Sequence, residues 1–408
     1  MNREALILGV GATPFGRHLD RGAGDLVGQA AHEALRDAGL TPADVGAVFH
    51  ATVSQKAIDG QHMIPGQVAL RPHGFAGVPV VNVENACAGG ATALWLAIAH
   101  VRAGLSDVAL AVGVDKLVCA DPAQGLAVFD GAMDIAHREE TLAALTALTD
   151  PLPPELSADG DRSVFTEIYA SLARAHMQRF GTTEAHLAAV SAKNHAHSVH
   201  NPRAHFRRAF TAQEILAARR VAWPLTVPMC SPVSDGAAAV VVTRSDFTRD
   251  ESAVAVLSSV LLSGTDRAAD DAGRHIGRRA ALAAYEKAGI GPQDVDVAEV
   301  HDATAFGEIQ QVENLGFCPI GDGGPWSASG AGALGGALPV NPSGGLESRG
   351  HPVSATGLAQ VFELVSQLRG RAGERQVPDA HIAIAENGGG LYGIEEAVAA
   401  VTILGRNR

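Results

Sequence analysis

Apolar positions along the chain fall into short continuous runs separated by amphipathic stretches, the pattern of strands covered on both faces that alternate with helices. Residues 5–11, Ala5-Leu6-Ile7-Leu8-Gly9-Val10-Gly11, read as a buried strand running into a glycine turn. A helix with apolar periodicity is predicted over about 25–37; it stops at Gly39, and Thr41-Pro42-Ala43-Asp44 leads to a strand at 47–51. The apolar run 79–83 precedes Cys87 and two glycines, after which 91–101 reads as a buried helix ending near Gly104, with a strand at 108–114. Further strands are predicted at 237–242, 297–300 and 382–385, and further helices over about 165–180, 185–195 and 355–368. Gly9 and Gly11 lack the third glycine of a dinucleotide fingerprint.

One part of this pattern occurs twice. Residues 31–45 align without gaps with 281–295, and the pairs Gly39/Gly289, Pro42/Pro292 and Asp44/Asp294 share an offset of 250. A helix, a glycine, a Pro-x-Asp turn and a strand repeated at one offset imply two copies of one α/β unit. A looser correspondence sets the Cys87 turn and its helix against Gly350-His351-Pro352 and the helix at 355–368. Paired across a pseudo-twofold axis, those two helix N-termini would meet. Residues 119–229, with a Pro-rich loop at 150–155 and a basic segment, break the pattern and read as an excursion forming a lid or substrate-binding subdomain. The expected division is 1–118 with 230–250 as the first half, 119–229 as the excursion, and 251–408 as the second half.

Composition narrows the function classes. A net charge of −13 argues against general affinity for nucleic acid or anionic membranes. The four cysteines (Cys87, Cys119, Cys230, Cys318) form no C-x-x-C pair, which argues against a zinc knuckle or a disulfide framework and leads to an expectation of no metal in this chain. With no long apolar span, no evident signal peptide and no peroxisomal tripeptide, a cytoplasmic protein is expected.

Candidate chemistry gathers where predicted strands end. Cys87 sits at a strand-to-helix junction, where free N–H groups and the helix dipole lower a thiol pKa and can hold an oxyanion. Its alternative is a small buried apolar cysteine. His301 lies at the end of a strand, where α/β folds place their chemistry, and His351 lies in a glycine-rich loop at a helix start. Either histidine alone reads equally as structural. Glu386, in Glu386-Asn387-Gly388-Gly389-Gly390, is either a loop carboxylate or a catalytic one.

Taken together, Asn85-Ala86-Cys87-Ala88-Gly89, His301-Asp302, Asn341-Pro342-Ser343-Gly344-Gly345, Gly350-His351-Pro352 and the closing glycines resemble the thiolase family, and most of all its sterol-carrier-protein-type branch. The resemblance runs over essentially the whole chain, including Ala192-Lys193-Asn194-His195 and the segment 230–236. It implies a five-layered α/β/α/β/α fold and a dimer or tetramer. It also implies coenzyme A chemistry: Cys87 carries an acyl group and His351 takes the thiol proton. His301 would help to hold an enolate, and the N–H groups of Cys87 and Gly388 would form the second oxyanion hole. Ser343 and Gly344, with Arg203, Arg207, Arg208 and Arg220 (and Arg219 beside it), would serve coenzyme A.

The chain departs from the family pattern at the second cysteine, which shuttles the α-proton. Its two usual places hold Glu386 and Ala303. Claisen chemistry needs an acid/base near the α-carbon, and Glu386, with a pKa raised by burial, is the expected substitute. The same combination resembles thiolase-like subunits that act on bulky or aromatic acyl-CoAs, such as benzoylsuccinyl-CoA thiolase, several with a small zinc-ribbon/OB-fold companion. An acyltransferase or aldolase-type relative and a non-catalytic subunit are the other readings.

Overall fold

In the computed structural model, which describes residues 4–153, 156 and 163–407, the repeat is reproduced element by element. Helix α1 (Ala23–Asp37) ends just before Gly39 at φ 68°, a one-turn helix spans Pro42–Asp44, and a strand begins at Ala47. In the second half a helix over Ile276–Ala288 meets Gly289 at φ 69°, the turn is Pro292–Asp294, and a strand begins at Val297. The φ values explain both glycines, because only glycine turns left-handed there without a Cβ penalty. The aspartates close both turns: Asp44 accepts from the Thr41 N–H and Asp294 from the Gly291 N–H, each at 2.8 Å.

The strands are β1 (Ala5–Ala12), β2 (Ala47–Ala51), β3 (Val80–Val83), β4 (Val108–Asp115), β5 (Arg220–Ala222), β6 (Leu225–Thr226), β7 (Gly236–Arg244), β8 (Val254–Ser263), β9 (Val297–Glu299), β10 (Ile382–Gly389) and β11 (Val398–Arg406). β5 and β6 form a separate hairpin; the others run in the order β3-β2-β4-β7-β1-β8-β11-β10-β9. The two halves carry the same internal order. In each, a parallel group (β3, β2, β4; then Val340, β9, β10) is closed by an antiparallel strand, β7 or β11. Only Leu6–Ala255 and Ile7–Val254 join the halves across β1 and β8.

Strand alternation separates the layers. Ala5 and Ile7 face a core shared with Phe49, Ala109, Val240, Val254 and Leu404, which also takes in Leu94 and Ile98 of helix α2 (Gly89–Arg102) and Leu358 and Leu364 of a late helix over Thr356–Leu368. Leu6 and Leu8 face the other way, onto Leu26, Val27 and Leu35 of α1. In the second half Val260, Ile384 and Val401 pack onto the Ile276–Ala288 helix. The layers are therefore helix, sheet, two central helices, sheet, helix. Sheets covered on both faces account for strands that read as continuous apolar runs.

The excursion leaves after β4 and returns at β7. It holds α3 (Val164–Phe180) and α4 (Glu184–Ser198), close to the predicted spans. Residues 154–155 of its Pro-rich loop lie outside the described residues. Tyr169, Ala173, Leu187 and Val190 of these helices pack on Phe306 and Ile309 of α5 (Ala305–Asn314), so the excursion docks on the second half. The later helices are numbered on from here: α6 is Thr356–Leu368.

Two glycines let the central helix starts meet. A Cβ at Gly90 or at Gly113 would run into the Ser354 carbonyl oxygen, so the turn Val353–Ala355 reaches the Cys87 turn only because both positions lack one. Asp115, fully buried at the end of β4, fastens the approach. One of its oxygens accepts from Thr52 Oγ1 and the Val53 and Ser54 N–H groups, and the other from the Ser354 N–H at 2.6 Å.

Candidate active site

Cys87 lies in the one-turn helix Ala86–Ala88 that opens α2, and Ala86 before it takes φ 47°, a strained left-handed conformation for alanine. His301 follows β9 and His351 precedes α6. The Cys87 sulfur and one ring nitrogen from each histidine lie within 4.8 Å of one another. The two imidazoles meet edge to face, with ring centroids 5.3 Å apart. Among the described residues this is the set that could hold a metal ion, and an ion there would occupy the thiol.

Hydrogen bonds fix the tautomer of His351. Thr356 Oγ1 lies 2.6 Å from His351 Nδ1 and gives its own proton to the Pro352 carbonyl oxygen at 3.1 Å. Nδ1–H therefore donates to the hydroxyl, and Nε2 keeps a free lone pair. Burial, then His301 and Arg349, hold His351 well below the usual histidine pKa, so it is neutral. His301 is also neutral: burial lowers it to about 4, against the pull of Glu396. Both of its ring nitrogens are buried without a protein partner, free to meet a substrate oxygen.

The helix start does not make a thiolate of Cys87. Burial pushes the thiol up to about 12, and Asp115 adds to it, outweighing hydrogen bonds from the Gly390 and Cys87 N–H groups. Desolvation costs a thiolate more than two N–H groups return. The N–H groups of Gly390 and Cys87 are thus the ones that face the sulfur. Gly388 sits within β10 opposite Ala399, where a Cβ would strike Glu396.

Cys87 stands where two cavities meet. One, of about 400 Å³, is lined by Cys87, His301, His351, Tyr169, Arg219 and Glu396. The other, of about 640 Å³, reaches Cys87 between Phe129, Met133, Leu261, Leu262, Leu391 and Val398. Glu386 lines neither. It is fully buried, its Oε2 accepts from the His301 N–H at 3.1 Å, and burial together with Glu396 raises its pKa well above the carboxylate range.

The residues expected to serve coenzyme A divide. Ser343 is fully buried and gives its hydroxyl and N–H to Glu299, at 2.8 and 3.0 Å. Gly344 lies against Ser198, so that no Cβ would fit there. Both shape the loop and line neither cavity at Cys87. Arg203 is likewise engaged in the fold, by Glu33, the Ala12 carbonyl and the Phe362 ring. Arg207, Arg208 and Arg220 are exposed, and Arg208 pairs with Glu214 at 3.6 Å. It is Arg219 that reaches a cavity wall.

The remaining motifs hold the histidine loops in place. Asn341 Oδ1 accepts from the Val300 N–H at 2.9 Å, and Asp302 accepts from the Leu346 N–H at 2.8 Å. Asn194 Nδ2 lies within 3.1 Å of Asp302, Glu308 and Glu347, with Lys193 on Glu308. Burial and mutual repulsion push Asp302 and Glu347 upward, so this cluster retains protons. Sequence reasoning did not reach Tyr169, Glu396, Thr356, Asp115 or Gly390. The adjacent pair Glu395-Glu396 after a glycine run was the one visible hint.

Comparison with known proteins bears on this geometry. The family model "Thiolase, N-terminal domain" matches residues 5–218, and "Thiolase C-terminal domain-like" matches 265–406. The chain is 37% identical to an acetyl-CoA acetyltransferase of Methanothermobacter thermautotrophicus, over 99% of this chain and 100% of that one. It is 34% identical to benzoylsuccinyl-CoA thiolase subunit BbsB of Thauera aromatica, over 96% of both chains. With bovine (Bos taurus) sterol carrier protein 2 it shares 34% identity over 95% of this chain and 70% of that protein. The solved structure of an Ltp2-ChsH2(DUF35) aldolase matches with a TM-score of 0.78 at 23% identity, covering 99% of this chain and 98% of that one. Human mitochondrial 3-ketoacyl-CoA thiolase matches at 0.69 and 17%, covering 100% and 99%. These two likenesses show the fold.

Proposed function

The chain belongs to the thiolase family, and from that premise we propose that it cleaves a 3-oxoacyl-CoA with coenzyme A, or runs the reverse Claisen condensation, through an acyl-Cys87 intermediate. The observation that carries this reading is the convergence of Cys87, His301 and His351 within 4.8 Å, with the lone pair of His351 Nε2 left free. A thiol held near pKa 12 needs such a base, and a neutral imidazole within 4.8 Å is suited to it.

His351 takes the Cys87 proton as the sulfur attacks the 3-oxo carbonyl carbon. The N–H groups of Cys87 and Gly390 hold the resulting oxyanion. The carbon–carbon bond then breaks, and its electron pair passes to the α-carbon of the departing acyl-CoA enolate, whose oxygen His301 receives. That carbon takes a proton, and coenzyme A accepts the acyl group from Cys87. Arg219 at the cavity wall, with Arg207, Arg208 and Arg220 outside it, supports an approach for the coenzyme's phosphates along the excursion.

A bulky acyl group is favoured by one observation: the about 640 Å³ cavity behind Cys87 is larger than a two-carbon acyl chain requires. BbsB is by name a subunit, and this proposal extends to a small companion chain here. β3 is an edge strand with Val81 exposed, which supports assembly into a dimer or tetramer; a cytoplasmic location completes the reading.

Intact-protein mass spectrometry after incubation with a panel of acyl-CoAs and 3-oxoacyl-CoAs tests the proposal. One added acyl group, absent in Cys87→Ala, is the expected result. No adduct from any donor, with or without a companion chain, refutes it.

A further inference from the structure

We propose that Glu396, oriented by His275, is the carboxylate that exchanges the substrate's α-proton; the inference rests on the acyl-Cys87 reading above. Claisen chemistry needs an acid/base at the α-carbon, and neither usual cysteine is present. Glu386 has the expected place in the sequence but not in space, because it is sealed from both cavities behind His301. Glu396, on the loop between β10 and β11, forms part of the same cavity wall as Cys87, His301 and His351. Its side chain lies over Gly388, where a Cβ would come within 2.8 Å of Glu396 Cγ, so that glycine gives it room.

The surroundings of Glu396 keep it ionised and aimed. His275 Nδ1 accepts from the Gly277 N–H at 3.1 Å and lies 3.0 Å from Asn314 Nδ2. His275 Nε2 lies 3.2 Å from Glu396 Oε2. Gln311 Nε2 donates to the other oxygen at 3.1 Å. Burial opposes the charge of Glu396, but His275 and the residue's own N–H outweigh it and lower the group to about 2, whereas Glu386 is raised. The two carboxylates are driven apart in charge: Glu396 is the anion that faces the cavity, and Glu386 stays protonated behind His301 and takes no part in the step. An acyl chain that displaces water from the cavity adds to the desolvation of Glu396 and so makes it a stronger base.

The step balances without another reactant. A Glu396 oxygen accepts the α-proton, the C–H electron pair becomes the enolate double bond, and the carbonyl pair moves onto the oxygen beside His301. The enolate carbon then bonds to the acyl carbon on Cys87, the sulfur leaves as thiolate, and the α-proton held by Glu396 passes to it by way of His351 Nε2 in the shared cavity, which restores the thiol and ionised Glu396. Cleavage runs the same path in reverse: the proton that His351 takes from Cys87 passes to Glu396, which delivers it to the α-carbon.

Deuterium wash-in at the α-carbon isolates this step from acyl transfer. Acetyl-CoA, butyryl-CoA and phenylacetyl-CoA are incubated with enzyme in D2O, and the Cys87 adduct and α-deuteration are followed together. E396Q should form the adduct at close to the wild-type rate and lose exchange by about 10²-fold or more, while E386Q keeps exchange within about threefold. H275Q should lower exchange with the adduct intact, and E396D should recover part of what E396Q loses. Wild-type exchange in E396Q, a loss confined to E386Q, or an acylated wild type that exchanges no deuterium would each overturn the inference. If E396Q also fails to acylate, E396D decides: reduced exchange on an acylated enzyme supports the assignment, and unchanged exchange or loss of both overturns it. A wild type that forms no adduct at all defeats the parent reading and the inference with it.

Discussion

His351→Asn is the most direct test of how the enzyme obtains its nucleophile. The resting thiol of Cys87 sits near pKa 12 because it is buried next to Asp115. Each pH unit below that value costs ~1.4 kcal/mol to form the thiolate, so at about pH 7.5 proton removal without a base costs roughly 6 kcal/mol. A positioned general base recovers about 10²–10⁴ in rate, or ~3–5 kcal/mol of that barrier. Asparagine keeps a polar side chain beside Thr356 and removes the lone pair at Nε2.

The expected acylation rate in His351→Asn is therefore about 10²–10⁴ below wild type near neutral pH. The pH profile is more diagnostic than the rate. In the variant only free thiolate reacts, so the rate should rise about tenfold per pH unit from about 7 to 10. In the wild type His351 is already neutral over that range, and its profile should be flat. Single-turnover acylation followed by rapid-quench mass spectrometry measures both. Parallel profiles, or a loss of less than about tenfold, would refute both the buried-thiol argument and the assigned base.

Two further outcomes concern the frame of the site. Asp115→Asn should lower stability by about 2–4 kcal/mol in urea unfolding, because one buried carboxylate serves Thr52, Val53, Ser54 and Ser354; a change below ~0.5 kcal/mol would show that these bonds do not fasten the halves. Stability should also fall as pH rises from about 6.5 to 8.5. Burial pushes Glu299 up to about 7, with Arg349 opposing, and raises Asp302 and Glu347 as well. The folded chain therefore keeps protons that the unfolded chain has lost, and that advantage disappears as pH climbs through the folded pKa values. Below about pH 6.5 the buried histidines His50, His197 and His301, lowered to about 4, 3 and 4, act in the opposite sense. Glu347→Gln should flatten the upper slope, and an unchanged slope would place its origin elsewhere.

Legibility in the sequence followed the range of the interactions. The repeat was readable because each copy is local: a glycine that must turn left-handed, an aspartate that caps its own turn, then a strand. The offset of 250 accordingly places the strand starts at Ala47 and Val297. Cys87, His301 and His351 were readable because each stands next to a strand end or helix start. The errors arose where a long-range contact decides. Arg203 looks like a free cation until Glu33, 170 positions away, engages it. The thiol pKa was misjudged in sign because the helix terminus is a local feature, while burial depends on everything packed above it.

The same distinction explains why Glu396 escaped notice and why the two halves are inseparable for function. Cys87 and Asp115 belong to the first half, and His301, His351 and Glu396 to the second. No segment of the chain carries the whole constellation. It exists only where the Ser354 carbonyl settles against Gly90 and Gly113, and where Asp115 holds the Ser354 N–H at 2.6 Å. Because packed interiors transmit even a one-methyl misfit, an alanine at either glycine acts on both halves at once. It should move His351 away from Cys87 without altering any group that touches substrate. The glycines of this chain are thus as much a part of its catalytic apparatus as the histidines, since they set the distance across which His351 must reach the thiol.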